Sequence, residues 1–473
     1  MTRDSLERLS RAELISLLLT QADQLVSLQG LVAQLQAENE VLRLKLDKLQ
    51  TPPHPATTSR NSSQPPSRDQ KRNKAANSAR RKHGPPQGHA KYERPFVANP
   101  DETVELRPAQ CPTCHTDLSQ SGAVVLVDVT QITELPEPQA QVIEVRQYGV
   151  TCPNCGQVHT QPAPAGLELH RTFGARLEAT VIYYRQEQHL SYERTQATLA
   201  NLHGVTISQG GIDHIMQRGG QAALDEVKPI QATVQHSAVV NSDETSARVA
   251  GKTWWHWVFC TATAILHVIQ PSRGHQVIEA VMGQHEAEVW GSDCLPAQLK
   301  APAKHHQICL AHQLRNLQAV RDRYPTSGWA AAMQALFRAA IHLHHQRQEL
   351  PPDQFAAQVA RLERLADWLL KRPLAQPEAV KLQRRYQKHR QSLFVFLDRP
   401  DVEPTNNRSE RALRPSVIHR KVTGGFRSQW GAAAYAALAS IIDTAELKGL
   451  TAFEAIQRLM GVPALPLPAL HPR

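Results

Sequence analysis

The chain has 473 residues, too many for one ordinary hydrophobic core, so two or more folded units are expected. Its 53 Lys and Arg against 43 Asp and Glu give a formal charge of +10, which suits an anionic partner; residues 51–100 carry ten basic and two acidic side chains, most of that excess. No run approaches the roughly 18 apolar residues of a membrane span, and the polar start lacks the apolar centre of a secretory signal, so a cytoplasmic protein with no membrane partner is expected.

The first predicted element is helical. One heptad register puts Leu14, Leu18, Gln21, Leu25, Leu28, Val32, Leu35, Asn39, Leu42, Leu46 and Leu49 at its a and d positions, with Asn39 at an a position that fixes register. This predicts a leucine-zipper-like coiled coil over residues 1–50 and, because a lone helix cannot bury that seam, a homo-oligomer; an amphipathic helix docked on its own protein is the alternative. Residues 51–100 hold nine prolines and almost nothing apolar, which predicts a disordered basic linker. Plain spacing and salt-sensitive attraction to phosphates through Lys71, Arg72, Arg80, Arg81 and Lys82 are both open roles for it.

Order is expected to resume over residues 101–166. Cys111-Pro-Thr-Cys114 and Cys152-Pro-Asn-Cys155 are two C-P-x-C turns, each aiming two thiolates at one point, separated by residues that alternate like strands at 123–129 and 142–150. That pattern predicts a zinc ribbon in which Cys111, Cys114, Cys152 and Cys155 hold one structural Zn²⁺. An odd total of seven cysteines in a reducing compartment points the same way, toward metal rather than disulfides. Residues 167–232 read as helical, and the spans 191–202 and 208–218, broken at His203-Gly204, have helix–turn–helix proportions that ordinary helical packing explains equally well.

Residues 233–430 change pattern. Apolar and aromatic runs near 238–244, 253–260 and 264–270 read as successive strands, a helix follows at 274–282, and another short apolar run ends at Asp293. Two strands ending in Asp243 and Asp293 can place their carboxylates side by side at a sheet edge. A third acid, Glu410, falls early in a helix that Thr405 or Asn406 can cap, amid Arg408, Arg411, Arg414, Arg420, Lys421 and Arg427, a cluster suited to a phosphate track. Taken singly, each acid reads as a cap or a solvated partner. The 117 residues between Asp293 and Glu410 predict a helical insertion at about 320–400, with helices at 355–370 and 378–396 that serve either as a DNA clamp or as scaffold. Residues 431–473 predict a C-terminal helical element, with helices at 431–448 and 452–459, packed on the sheet.

Ser242-Asp243-Glu244-Thr245, Ser292-Asp293, Cys309-Leu-Ala-His312, Asn406-Asn407-x-x-Glu410-Arg411-x-x-Arg414, Arg420-Lys421 and Gly424-Gly425-Phe426-Arg427-Ser428 together resemble the DDE transposases of the insertion sequence 66 family, over nearly the whole chain. The resemblance implies an α/β catalytic core, a ribonuclease H-like mixed sheet with a helical insertion, preceded by coiled coil, zinc ribbon and a helical DNA-binding region. It implies that Asp243, Asp293 and Glu410 are the catalytic residues and hold two Mg²⁺ (or Mn²⁺) ions, and that Cys309 and His312 order the core near them. The implied activity is metal-dependent DNA strand cleavage and strand transfer at terminal inverted repeats, with double-stranded DNA as partner, small accessory proteins as further partners and the nucleoid as location. A non-catalytic zinc-ribbon and coiled-coil DNA-binding protein, a decayed or domesticated transposase, shares the N-terminal features; the acid triad discriminates the two.

Overall fold

The computed structural model describes residues 56–62, 94–119, 124–135, 140–164 and 167–462, with a few helical positions between 24 and 38. Most of the predicted coiled coil therefore lies outside the described residues. The heptad positions that are described, Leu28, Val32 and Leu35, are helical and exposed. Among the described residues no helix is long and apolar enough to cross a membrane.

The chain forms two compact units, the first comprising residues 1–69, 175–189 and 216–473, the second 70–174 and 190–215. In the second unit β1 (Gly149–Thr151) pairs antiparallel with β2 (Val158–Thr160) around the second C-P-x-C turn. Of the predicted strands at 123–129 and 142–150, only residues 149 and 150 are strand among the described residues. Val125, Leu126, Val127 and Val142 are all exposed, so alternation there buries no face and nothing favours pairing. Helix α2 (Tyr192–His203) follows α1 (Ala175–Gln186), which belongs to the first unit; α2 starts where the Ser191 side chain accepts from Arg194 N and stops at Gly204 in the left-handed conformation. Helix α3 (Gln209–Gln235) then begins as expected but runs well past residue 218. Tyr192 donating to Asp213 (3.0 Å) and Gln196 to the Ile207 carbonyl (2.6 Å) close α2 onto the start of α3.

The first unit is built on a five-stranded sheet of β3 (Val239–Val249), β4 (Lys252–Cys260), β5 (Ile265–Gln270), β6 (Ala287–Ser292) and β7 (Ala303–Ile308), in the order β5-β4-β3-β6-β7. Strands β3 to β5 form an antiparallel meander, while β6 and β7 run parallel to β3. The β3–β4 turn is Ala250-Gly251, both at positive φ, the two-residue geometry whose twist matches the flanking strands. The run from Trp254 to Cys260 gives β4 away in the sequence. Strand β7 does not announce itself, because Lys304 and His305 are exposed on a sheet edge.

One face of the sheet buries Val240, Trp257, Phe259 and Trp290 against α4 (Gln276–Met282) and residues 230–234 of α3. The other face carries α10 (Asn407–Thr423) and α11 (Gln429–Glu446), with Leu413 against Val258 and Tyr435 against Ala247 and Val249. Helix α11 also blunts the β5 edge: the Ser440 and Thr444 hydroxyls accept from His267 N (2.8 Å) and Ile265 N (3.0 Å). The chain closes with α12 (Ala452–Leu459) behind a Thr451/Glu454 capping box, so both C-terminal helices form where expected.

Between β7 and α10 the predicted helical insertion is present as α5 (Leu310–Arg323), α6 (Gly328–His345), α7 (Pro352–Lys371), α8 (Pro377–Lys388) and the short α9 (Val395–Asp398), around a core of Trp329, Met333, Phe337, Leu369 and Tyr386. Helix α8 ends at Lys388 instead of reaching residue 396. Arg390 is drawn to Glu363 and Asp367 of α7, and Leu393 and Phe394 turn into the core. Part of the supposed linker is also held: Thr58 N donates to Asn61 Oδ1 (2.8 Å), and Asn61 Nδ2 reaches Asp322 on α5 (2.9 Å). The Asn61 side chain satisfies the backbone of Ala56 and Thr58, so residues 56–62 order without an apolar core.

Candidate active site

Strand pairing brings the first two acids together. Val239 lies opposite Val289 and Asn241 opposite Gly291, a constant offset, so two residues further along Asp243 falls beside Asp293 where the parallel strands end. Neighbouring strands are about 4.8 Å apart, so both carboxylates stand on one face of one sheet edge. A Cβ at Gly291 would lie 1.9 Å from Asn241 Oδ1, so a larger residue there displaces the Asn241 side chain.

Glu410 arrives from α10 through a relay of hydrogen bonds. Cys309 N donates to Ser292 O (2.8 Å), Asn406 N donates to Cys309 Sγ (3.1 Å), and Asn406 Nδ2 donates to Ser242 O (2.7 Å). The residues before each aspartate are thereby tied to the residue one turn ahead of Glu410. Asn406 does sit at the N-cap, but its side chain makes no capping bond and serves as this cross-tie.

The electrostatics follow from that convergence. Burial, then the negative charges of Glu244, Asp293 and Glu410, push the Asp243 carboxyl up to about 8. Glu244 faces the opposite side of β3, where Arg273 (2.8 Å) and Gln298 (3.0 Å) satisfy it and Arg273 lies over Trp255. Gln298 also donates to Ser242 Oγ (3.2 Å) and accepts from Trp290 Nε1 (2.9 Å), anchoring the strand under Asp243.

Glu410 Oε1 accepts from Arg315 Nη2 (3.2 Å) and lies 3.6 Å from His312 Nδ1. Burial, with Arg315 beside it, lowers the His312 pKa below its ordinary value. Among the described residues, Cys309, His312 and Glu410 form a set whose ligand atoms lie within 4.8 Å of one another; Asp243 and Asp293 stand outside it. Arg315 is the participant that sequence reasoning missed, and Asn406 was read only as a cap and a motif residue. Arg315 follows His312 by three positions on one helix face, a spacing that would have flagged it.

The basic cluster divides in two. Arg408 donates to Thr261 O (2.7 Å) and Arg420 to Ser246 Oγ (2.6 Å), so their guanidinium groups are committed to the sheet. Arg411, Arg414, Lys421 and Arg427 are exposed and make no ion pair among the described residues. Gly425 approaches protein rather than phosphate: its φ is 115°, a Cβ would lie 2.6 Å from Arg248 O, and Phe426 N bonds that same carbonyl (2.8 Å). Trp430 packs on Gly220.

In the second unit each C-P-x-C turn is a knuckle, with Cys111 N to Thr116 O (2.9 Å) in one and Cys152 N to Gln157 O (2.8 Å) in the other. Hydrogen bonds to Thr116 lower the Cys114 thiol to about 7, and backbone N–H groups of Cys155 and Asn154 lower that of Cys152. The four sulfurs are not drawn into one cluster among the described residues.

No curated protein matches the chain. The family model described as "Transposase IS66 family" matches residues 170–434, which include the sheet, the helical insertion and all three acids. With more than half of its 473 residues matched, the chain belongs to the transposase IS66 family.

Proposed function

We propose that this transposase binds the terminal inverted repeats of an insertion sequence and performs metal-dependent DNA strand cleavage and strand transfer at Asp243, Asp293 and Glu410. The observation that carries this reading is the in-register pairing that sets Asp243 beside Asp293, with Glu410 tied to both strands. The strand order, a three-stranded meander followed by two parallel strands, supports a ribonuclease H-like core. Three carboxylates that act on one another electrostatically, one of them raised to about 8, form a hard-oxygen site, which fits divalent cations. Two Mg²⁺ or Mn²⁺ ions bound there supply activation of the attacking water or 3′-hydroxyl and charge stabilisation at the leaving 3′-oxygen.

The protein's own part is placement. Asn406 and Cys309 hold α10 at the strand ends, and Arg411, Arg414 and Lys421 on its exposed side, with Arg427 just beyond its end, offer phosphate contacts. The test is cleavage of a duplex carrying the element's end by wild type and by triad variants in Mg²⁺ or Mn²⁺. A wild type that never cleaves ends the catalytic reading and leaves a DNA-binding protein.

Arg315 competes with cations for Glu410. Because this pair is partly exposed it is worth about 0.5–1 kcal/mol, so Arg315→Ala is expected to lower the Mg²⁺ concentration for half-maximal cleavage about two- to five-fold. An unchanged or raised midpoint in a metal titration contradicts this role.

In the second unit, thiols lowered toward thiolate suit Zn²⁺, and Cys111, Cys114, Cys152 and Cys155 would hold one structural ion. Metal analysis of purified protein should find about one zinc per chain, lost in Cys111→Ser. A disulfide between the two knuckles, or no zinc in the wild type, refutes the site. The exposed Leu28, Val32 and Leu35 support self-association that pairs two element ends.

A further inference from the structure

Helix α8 has a charge pattern that its role as scaffold does not require. It buries Ala379, Leu382, Gln383 and Tyr386 on one side. On the other lie Lys381, Arg384, Arg385 and Lys388, spaced i, i+3, i+4 and i+7, a single stripe about 10 Å long. The one acid of the helix, Glu378, is turned to Arg323 and Tyr324 at its start. None of the four cations makes an ion pair among the described residues, whereas neighbouring Arg390 is held by Glu363 and Asp367.

The stripe lies on a helix that packs beside the catalytic edge. His389 follows Lys388, and burial, then Lys388 and Arg385, lower its pKa. Helix α8 packs on α5, which carries His312 and Arg315 beside Glu410. An apolar partner has nothing to bind here, and a merely solvated face would carry both signs of charge. A row of unpaired cations leading away from a carboxylate cluster fits a polyanion whose one phosphodiester sits at the acids.

We propose that Lys381, Arg384 and Lys388, with half-buried Arg385 beside them, contact the phosphate backbone of the duplex cleaved at Asp243, Asp293 and Glu410. The inference rests on the catalytic reading above and extends it: the helical insertion is a DNA-contacting element, separate from the exposed side of α10.

The test is the salt dependence of binding, measured by fluorescence anisotropy on a labelled duplex carrying the element's end, with the full-length protein. The exposed triple variant Lys381→Ala/Arg384→Ala/Lys388→Ala should reduce the slope of log K against log salt by about 2.7, since each phosphate contact contributes about 0.9. The Lys381→Arg/Lys388→Arg variant, which keeps the charges, should retain the wild-type slope. An unrelated duplex should show the same reduction, because phosphate contacts carry no sequence information. A wild-type slope in the triple variant, with unchanged thermal unfolding, overturns the proposal; if the wild type still cleaves, the catalytic reading stands. A reduced slope with a wild type that never cleaves supports the stripe and removes the catalytic reading. A wild type that binds no duplex overturns both.

Discussion

Asp243→Asn is expected to abolish strand cleavage, by at least about 10³-fold, while making the metal-free protein more resistant to heat at neutral pH. The first effect is the loss of a charged ligand from a site that must stabilise a developing alkoxide, a contribution of several kcal/mol. The second follows from the same geometry without metal. Burial and the neighbouring acids hold the Asp243 pKa at about 8 in the folded chain, against an ordinary value of 3.8. Between those pH values the folded protein binds more protons than the unfolded chain, so its stability falls as pH rises from about 4 to 8. Asparagine removes that penalty, which is on the order of a few kcal/mol. Mg²⁺ should raise the unfolding temperature of the wild type and should release protons near pH 7; the variant should show neither response. Asp293→Asn and Glu410→Gln should lose cleavage similarly. Full cleavage by any of the three, or an equal Mg²⁺ stabilisation of Asp243→Asn, contradicts the assignment.

The parts of this site that were legible in the sequence are the parts that local pattern dictates. The apolar runs near 238–244 and 253–260 read as strands, and Thr405 or Asn406 can cap a helix, so the settings of Asp243 and Glu410 were readable. The constant offset between β3 and β6 was not, because register depends on pairing between distant segments. The Asn406 cross-tie spans 164 residues, and local chemistry offered a simpler use for that side chain as a helix cap. The close approach of Gly425 to the end of β3 likewise joins segments far apart in the chain. The division of the basic cluster was recoverable in principle. Ser409, Leu413 and His419 mark the buried side of α10, and Arg411, Arg414 and Lys421 recur on the other. The knuckle cysteines were plain, but strands between them needed a face to bury that the exposed valines do not supply.

Trp290→Ala should be the most damaging single truncation in the sheet, costing about 3–5 kcal/mol in urea-induced unfolding followed by circular dichroism. Trp290 is fully buried on β6, three residues before Asp293, and meets Phe259 edge to face. Its removal leaves a cavity among Val240, Phe259, Ile278 and Ala301, in a layer fixed on both sides by strands and helix and poorly able to collapse. It also deprives Gln298 Oε1 of its donor, and Gln298 is the residue that holds Ser242 and Glu244. Trp290→Phe separates the two contributions. It keeps most of the apolar volume and should cost about 1–3 kcal/mol, chiefly from the buried oxygen left unpaired. Because Ser242 precedes Asp243, that milder variant should still fold yet cleave more slowly, with a weaker Mg²⁺ response. Equal stability of Trp290→Ala and Trp290→Phe would mean that the cavity is filled by relaxation and that the hydrogen bond dominates. Unimpaired cleavage in Trp290→Phe would mean that β3 holds Asp243 without help from Gln298.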